Sequence, residues 1–403
     1  MKLLDKVKDK LKKICLAGVV LASTIIASPQ EPNTLNLEPR DFHLDFHNPV
    51  TNFEANSNLK YSIDQLVGKS SDWMASEGGD KEIIPRLAQL PYIFYLGKIT
   101  QFTSHELGHI REGKRYGKEV WEGEWFDFIT FSGYPNSRYR RTLEQNLKIF
   151  AAGLNQDEYN AFTITRNNPT KISFDEGFNF LLTKWHDVYY NLAISREKYK
   201  PGRPRNDPEA YTYFLKRKGI DLSQDELLLQ ALTADMLSLQ TYDSIALLYN
   251  YIINGKRYTD RITLNLGNSQ ITPPIFSHYL TSRGSFFDIS STVNPSGKNP
   301  IDLNIGTDVD FIGDGNLNRL RFEGRYNNVP IIKGISLSPV LALNLSKSGN
   351  YEGILSGAEA KCKLSERIGI RAKVQYSKND LVENEIKGRN NGINFQFGLD
   401  FNW

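Results

Sequence analysis

The sequence predicts a multidomain α+β chain, mainly helical to about residue 256 and then an eight-stranded antiparallel β-barrel over about 260–403. Three observations predict it. Apolar residues recur at helical spacing in the first part, most clearly Ile83, Ile84, Leu87, Leu90, Ile93, Phe94, Leu96 and Ile99. After residue 260 that spacing gives way to alternation: Ile301, Leu303, Ile305, Thr307, Val309 and Phe311 interleave with Asp302, Asn304, Gly306, Asp308 and Asp310. Turn-rich joints such as Asn294-Pro295-Ser296-Gly297 and Gly313-Asp314-Gly315-Asn316 cut this part into short segments. A chain of 403 residues has room for two or three domains with real cores.

The N-terminus has the layout of a secretory signal over residues 1–28. Lys2, Lys6, Lys8, Lys10, Lys12 and Lys13 precede an apolar run from Ile14 to Ala27, which is too short for a permanent bilayer anchor. Cys15 would leave with the signal. Cys362 would then stand alone, so the mature chain has no internal disulfide, which fits a bacterial envelope better than a small stapled secreted domain. With 49 basic and 46 acidic residues, net +3, there is no electrostatic reason to expect nucleic acid as a partner. Residues 29–80, rich in Asn, Pro, Ser and Asp, read as an irregular segment. Within it the repeated Asp-Phe-His puts His43 and His47 four apart. They could form a second metal site, but a short extended stretch packing Phe42 and Phe46 is the stronger reading.

The helical region is expected over 81–256. Its first series, with Pro85 and Pro91 marking starts or breaks, ends in His105-Glu106-Leu107-Gly108-His109. This H-E-x-x-H puts two imidazoles on one helix face, where they can hold one metal ion, with Glu106 placed to act as general base toward a metal-bound water. Such a site needs a third protein ligand and an open position. Residues 118–140 look extended and aromatic, able to line a cleft or to form a plain core hairpin. A helix over Leu143–Ala152 ends at Gly153, and a new one starts near Asn155, where Asn155 and Glu158 also fit a capping arrangement. A helix over 174–199 carries His186, either an oxyanion donor or a structural histidine. A loop over 200–208 precedes a short helix from Pro208 to Lys218. The longest helix is expected over 223–253, capped by Ser223 and Glu226. Its buried Asp235 is a rival third ligand.

Eight alternating segments follow, near 261–268, 278–292, 300–312, 318–327, 335–346, 352–364, 367–378 and 391–403. Strands of about ten residues with one apolar and one polar face suit a small outer-membrane barrel. The final aromatic, Trp403, is similar to the C-terminal signature of bacterial outer-membrane barrels. A soluble sandwich with one wet face would alternate in the same way.

His105-Glu106-Leu107-Gly108-His109 resembles the zincin metallopeptidases. In the gluzincin branch the third zinc ligand is a glutamate on a later helix, which implies Glu158, with Asp157 as its neighbour. The layout, with Tyr116-Gly117-Lys118 and Ala151-Ala152-Gly153, also looks like the site-2 protease group, whose aspartate ligand on a later helix would favour Asp235. The chain lacks that group's membrane helices and a clear Asn-Pro-Asp-Gly motif. The metzincin third histidine is absent from Arg111–Gly117. The resemblance implies a zinc-dependent metalloendopeptidase with His105, His109 and Glu158 on Zn2+ and Glu106 as base. The signal layout and the barrel pattern add the expectation of envelope proteins or peptides as substrates, a periplasmic catalytic domain and outer-membrane lipid around the barrel. The competing expectations are a non-catalytic barrel protein whose helical part binds a partner or a structural metal, and a soluble periplasmic protein with a β-sandwich tail.

Overall fold

The computed structural model describes residues 41–45, 52–74, 83–116, 141–194, 206–267, 269–297, 299–308, 319–387 and 389–402. The signal segment 1–28, His47, the aromatic stretch 118–140 and Trp403 lie outside the described residues.

A strand β1 (Asp41–Asp45) leads into seven α-helices among the described residues. These are α1 (Phe53–Met74), α2 (Ile83–Arg115), α3 (Leu143–Asn167), α4 (Phe174–Ile194), α5 (Asp207–Arg217), α6 (Gln224–Leu237) and α7 (Leu239–Asn254). A ribbon of β2 (Lys171–Ser173) and β3 (Tyr258–Asp260) ties the start of α4 to the end of the helical region. The rest is antiparallel sheet: β4 (Leu264–Leu266), β5 (Ser269–Ile271), β6 (Ile275–Thr281), β7 (Gly284–Val293), β8 (Ile301–Asp308), β9 (Arg319–Tyr326), β10 (Val329–Ile332), β11 (Ile335–Ser346), β12 (Tyr351–Lys363), β13 (Ile368–Lys378) and β14 (Gly392–Asn402). The chain is therefore α+β, helices followed by one large sheet. Its order is β1-β14-β13-β12-β11-β9-β8-β7-β5-β4, with β10 on β11 and β6 on β7. Among the described residues no strand pair joins β1 to β4 or β6.

Local chemistry explains the boundaries. Thr142 with Gln145 and Ser223 with Glu226 form reciprocal capping boxes that start α3 and α6. Asn206 caps α5, and Pro208 sits in its first turn, where its missing N–H costs nothing. Gly255 ends α7 at φ 71°, a conformation that favours glycine.

Several sequence expectations need correction. The stretch 29–80 is not irregular throughout: β1 pairs with β14, and α1 is a 22-residue helix. Gly153 does not end a helix, because α3 runs unbroken through it, so Asn155 and Glu158 are interior residues and not a cap. The expected helix 223–253 breaks at Ser238, whose extended backbone (ψ 109°) is held by its hydroxyl, which accepts the Phe276 N–H at 2.9 Å. Among the described residues the longest helix is α2, 33 residues, which passes through Pro91. The segment 278–292 is a hairpin, β6 and β7 turning through Ser282-Arg283, and 261–268 contributes only the three residues of β4.

The two faces of the sheet are sorted in an unusual way. Leu303, Ile305, Phe322, Leu341, Leu343, Ile370, Val374, Ile393, Phe395 and Phe397 point outward and are exposed. The alternate positions, including Arg321, Arg325, Asn344, Lys373, Gln375 and Ser377, are buried. The helices lie on this polar side. Glu54 of α1 accepts from Lys373 of β13 at 2.6 Å, and Asp45 pairs with Arg371 at 3.0 Å. Arg166 of α3 reaches Asp302 of β8 at 3.6 Å. β6 is buried on both faces between α3, α6 and β7.

Candidate metal centre

The site grows from α2. Within it, His105 and His109 come from adjacent turns of one helix face, and both rings are buried. A polar network holds this turn against its neighbours. Asn56 of α1 donates to the Ser104 carbonyl at 2.9 Å, and Asn160 of α3 donates to the Ser104 hydroxyl at 3.0 Å. Gln156 and Ser57 extend the same network, so three helices are registered where the motif lies. Gly108 allows the close approach: a Cβ there would stand 2.7 Å from the carbonyl oxygen of Ala152.

Each ring is oriented from behind. Nδ1–H of His105 donates to Asp157 at 2.7 Å, and Nδ1–H of His109 donates to the Ile149 carbonyl at 2.6 Å. With both Nδ1 atoms used as donors, the two Nε2 atoms are left as the metal-binding ends, the carboxylate–histidine arrangement that orients zinc-bound imidazoles. These Nε2 atoms lie 3.1 Å apart. Asp207 Oδ2, from the first turn of α5, lies 3.0 Å from each. The three donor atoms make a triangle with nearly equal sides. In a tetrahedral site with metal–ligand bonds of about 2.0–2.1 Å, ligand atoms stand about 3.3 Å apart, so this triangle needs to open by only a few tenths of an ångström.

The carboxylate that meets the two Nε2 atoms is thus an aspartate from a later helix, but it is Asp207, not Glu158 or Asp235. Glu158 points into a different buried cluster, where Lys184 Nζ lies 2.9 and 2.7 Å from its two oxygens and 2.9 Å from Asp235. One lysine answers both of the carboxylates expected as ligands. Asp157, the neighbour of Glu158, stands behind His105 and also accepts from His186 Nδ1 at 2.8 Å. His186 therefore braces Asp157, a positioning role in place of an oxyanion contact. His43, the described member of the Asp-Phe-His pair, is extended in β1 and bonds Asp400 at 2.8 Å.

The electrostatics follow from this packing. Burial opposes charge on His105 and His109, yet the carboxylates of Asp157 and Asp207 hold His105 well above its ordinary pKa, and Asp207 raises His109. Against the same burial, His109 and His105 keep Asp207 ionised, with its pKa below the carboxylate range. Burial pushes His186 down to about 4, so its ring is neutral at pH 7. Burial also raises Glu106, while His109 and His105 pull it back. An ionised carboxylate facing two imidazoles is a concentration of donors that a divalent cation satisfies. Gly153 supports that fit, because a Cβ on it would collide with Nε2 of both histidines. The glycine leaves open the space the donor atoms surround.

Asp207 was missed because it lies 102 residues from His105 and no helical repeat links them. A usable signal was present. Asn206-Asp207-Pro208 is a capped helix start, which puts a carboxylate on an N-terminal turn where its charge is favoured. No protein-family model, no curated protein and no solved structure matches this chain. The site is therefore judged by its own geometry.

Proposed function

We propose that this chain is a zinc-dependent metallopeptidase of the bacterial envelope, carried in the outer membrane by its C-terminal sheet. One observation carries the catalytic half: Nε2 of His105, Nε2 of His109 and Oδ2 of Asp207 converge at 3.0–3.1 Å around the space kept open by Gly153, with Glu106 one residue from the first ligand. Three protein ligands and an open position are the pattern of a catalytic zinc site. A structural site closes with four.

His105, His109 and Asp207 would hold the ion, which when bound supplies Lewis-acid polarisation of the scissile carbonyl and lowers the pKa of a water. Asp157 and the Ile149 carbonyl fix the imidazole tautomers. His186 in turn fixes Asp157. Glu106 takes the proton of the attacking water and returns it to the leaving amine.

The membrane half rests on the inverted sheet. In water a sheet buries its apolar face under its helices. Here the helices cover the polar face, and the apolar face, Phe395 and Leu341 among it, stays bare. Strands with an apolar outer band and polar inner positions suit lipid contact and a closed barrel. The signal segment read from residues 1–28 agrees with export.

The test is Glu106→Gln against Asp207→Asn in the full chain, scored for bound zinc and for cleavage of an unfolded polypeptide. Glu106→Gln is expected to keep its zinc and lose about 10²–10⁴-fold in rate. Asp207→Asn is expected to lose both. Equal zinc content and unchanged cleavage in the two variants would overturn the reading.

A further inference from the structure

A cleft distinct from the metal centre opens where α3, α7 and the polar face of β7 and β8 meet. It is a small cleft, with about 20 Å³ of enclosed space, and it is open at its mouth. Gln240 and Asp243 of α7, Arg261 just after β3, and Ser290, Thr292 and Asn304 of the strands line it. Arg261 is the unusual member. It is 6% exposed, yet Nε, Nη1 and Nη2 all lack a hydrogen-bond partner. Its backbone is well anchored, the N–H donating to the Thr170 carbonyl at 2.8 Å.

Several other buried cations are answered by carboxylates: Arg257 by Asp72 at 3.1 Å, Arg321 by Asp380 at 3.1 Å and Lys184 by Glu158 at 2.7 Å. Arg111, also buried, keeps one hydrogen bond, to Gln156 at 2.8 Å, whereas Arg261 has none. The second arginine of the cleft, Arg166, already faces Asp302. Asp243 and Glu176 attract Arg261 from a distance without bonding it; the Asp243 carboxylate accepts from the Ile262 N–H and its other oxygen is unpartnered. A buried guanidinium with idle donors is costly, and its planar fork matches two oxygens of an oxyanion.

The remaining idle groups narrow the choice. Ser290 Oγ, Gln240 Oε1 and Asn304 Oδ1 are also without partners, and the bond from Gln240 Nε2 to the Pro273 carbonyl fixes which end of that amide faces the cleft. Two amide carbonyls need donors from the ligand. A bare carboxylate has none, whereas a phosphate carrying O–H groups offers both kinds of contact.

We propose that this cleft binds a phosphate group with hydroxyl donors beside it, the phosphate on Arg261 and Ser290 and the hydroxyls on Gln240 and Asn304. Free hydrogen phosphate and a phosphoglycerol lipid headgroup share this chemistry. The inference does not use the metal site and stands apart from the peptidase reading.

The experiment uses the full chain in a neutral maltoside detergent and follows its thermal unfolding midpoint. Inorganic phosphate is titrated against sodium chloride of equal ionic strength. In a parallel arm, phosphatidylglycerol is compared with phosphatidylcholine. A phosphate-specific or phosphatidylglycerol-specific rise of a few degrees is expected at saturation. A response to phosphate alone assigns the free ion, and a response to phosphatidylglycerol alone assigns the headgroup. Arg261→Gln should abolish the rise. Asp243→Asn, which removes the competing negative charge, should shift the titration to about tenfold lower concentration. Should Arg261→Gln fail to fold, Asn304→Asp keeps the arginine and sets a carboxylate against the ligand, and it should abolish the rise as well. No rise in either arm for the wild-type chain, or a rise that survives both variants, overturns the proposal.

Discussion

Asp157 accepts from two imidazoles through one oxygen, and that shared contact shows how far the polar interior is organised around the motif helix. Next to it in sequence, Glu158 turns the other way into the Lys184–Asp235 cluster. One cation between two buried carboxylates leaves an excess negative charge when both are ionised. Burial therefore raises Asp235 to about 7 against an ordinary 3.8, with Lys184 pulling it back. The sign follows from linkage. An acid whose folded pKa is raised binds more protons folded than unfolded, so its contribution is fully present below about pH 4 and is lost as pH rises toward 7. Asp235→Asn removes that titration. Melts of the wild type and of this variant from pH 5 to 8 should diverge, with the wild type losing stability relative to the variant as pH rises. Parallel curves would refute the shared-proton account. The same cluster explains why part of the site was illegible in the sequence. His105, Glu106 and His109 can be read directly because helical geometry fixes i and i+4 neighbours. Glu158 and Asp235 are just as acidic and just as buried as a ligand would be, and nothing in a linear pattern reveals that Lys184 stands between them.

At the scale of elements, the candidate metal centre depends on how closely α3 can lie against α2. Gly108 and Gly153 permit two close approaches between them, one admitting the Ala152 carbonyl and the other leaving space beside the imidazoles. Their substitutions should separate folding from metal binding. Gly108→Ala drives a methyl against backbone, which must shift, and overpacking of this kind costs about 1–3 kcal/mol. Gly153→Ala places its methyl against Nε2 of both histidines, so it should displace the two rings and fail to hold zinc. Denaturant unfolding alongside zinc stoichiometry checks both. A Gly153→Ala protein with full zinc would show that the donors do not surround the space beside residue 153. The elements also show where periodicity was a poor guide. In α1 the buried residues include Glu54, Asn56, Lys60, Asp64, Gln65 and Asp72, while Ile63, Leu66 and Trp73 are exposed. A helix whose interior face is polar carries no apolar stripe toward a core, so the usual signal reads it as loop. The β6–β7 hairpin was hidden for a related reason. β6 and the first half of β7 are buried on both faces, and Ser282-Arg283 is a turn without the usual asparagine or proline. Strands β8, β9, β11, β13 and β14, each with exposed apolar residues on one face, were legible nearly to the residue, as was β12, whereas the four-residue β10 was not read.

For the whole molecule, the arrangement of helices and sheet is opposite to that of a soluble two-layer protein. Charges do the docking. Lys373, Lys387 and Arg389 from the sheet side converge on Glu54 at 2.6, 2.8 and 3.3 Å, and Arg371 meets Asp45. The hydrophobic surface left outside runs across β8, β9, β11, β13 and β14. Water and lipid make opposite demands on that surface, and this decides between an outer-membrane barrel and a soluble sheet protein. Phe395 and Leu341 are 58% and 50% exposed. If water lies against them, Phe395→Arg and Leu341→Arg remove apolar surface from solvent and leave stability within about ±0.5 kcal/mol, with better solubility. If lipid lies against them, an arginine near the bilayer midplane costs about 2–4 kcal/mol, and the two costs add because the strands are not neighbours. Urea unfolding of the chain refolded into phosphatidylcholine vesicles measures the difference. Gln375→Arg, on the covered face, serves as the comparison, since its loss in stability arises from packing and is the same in vesicles and in detergent. The lipid reading expects both outward arginines to lower the urea midpoint in vesicles and the double variant to stay largely unincorporated. Full incorporation of the double variant at an unchanged midpoint would leave the apolar face without a lipid role and return the sheet to the aqueous side of the membrane.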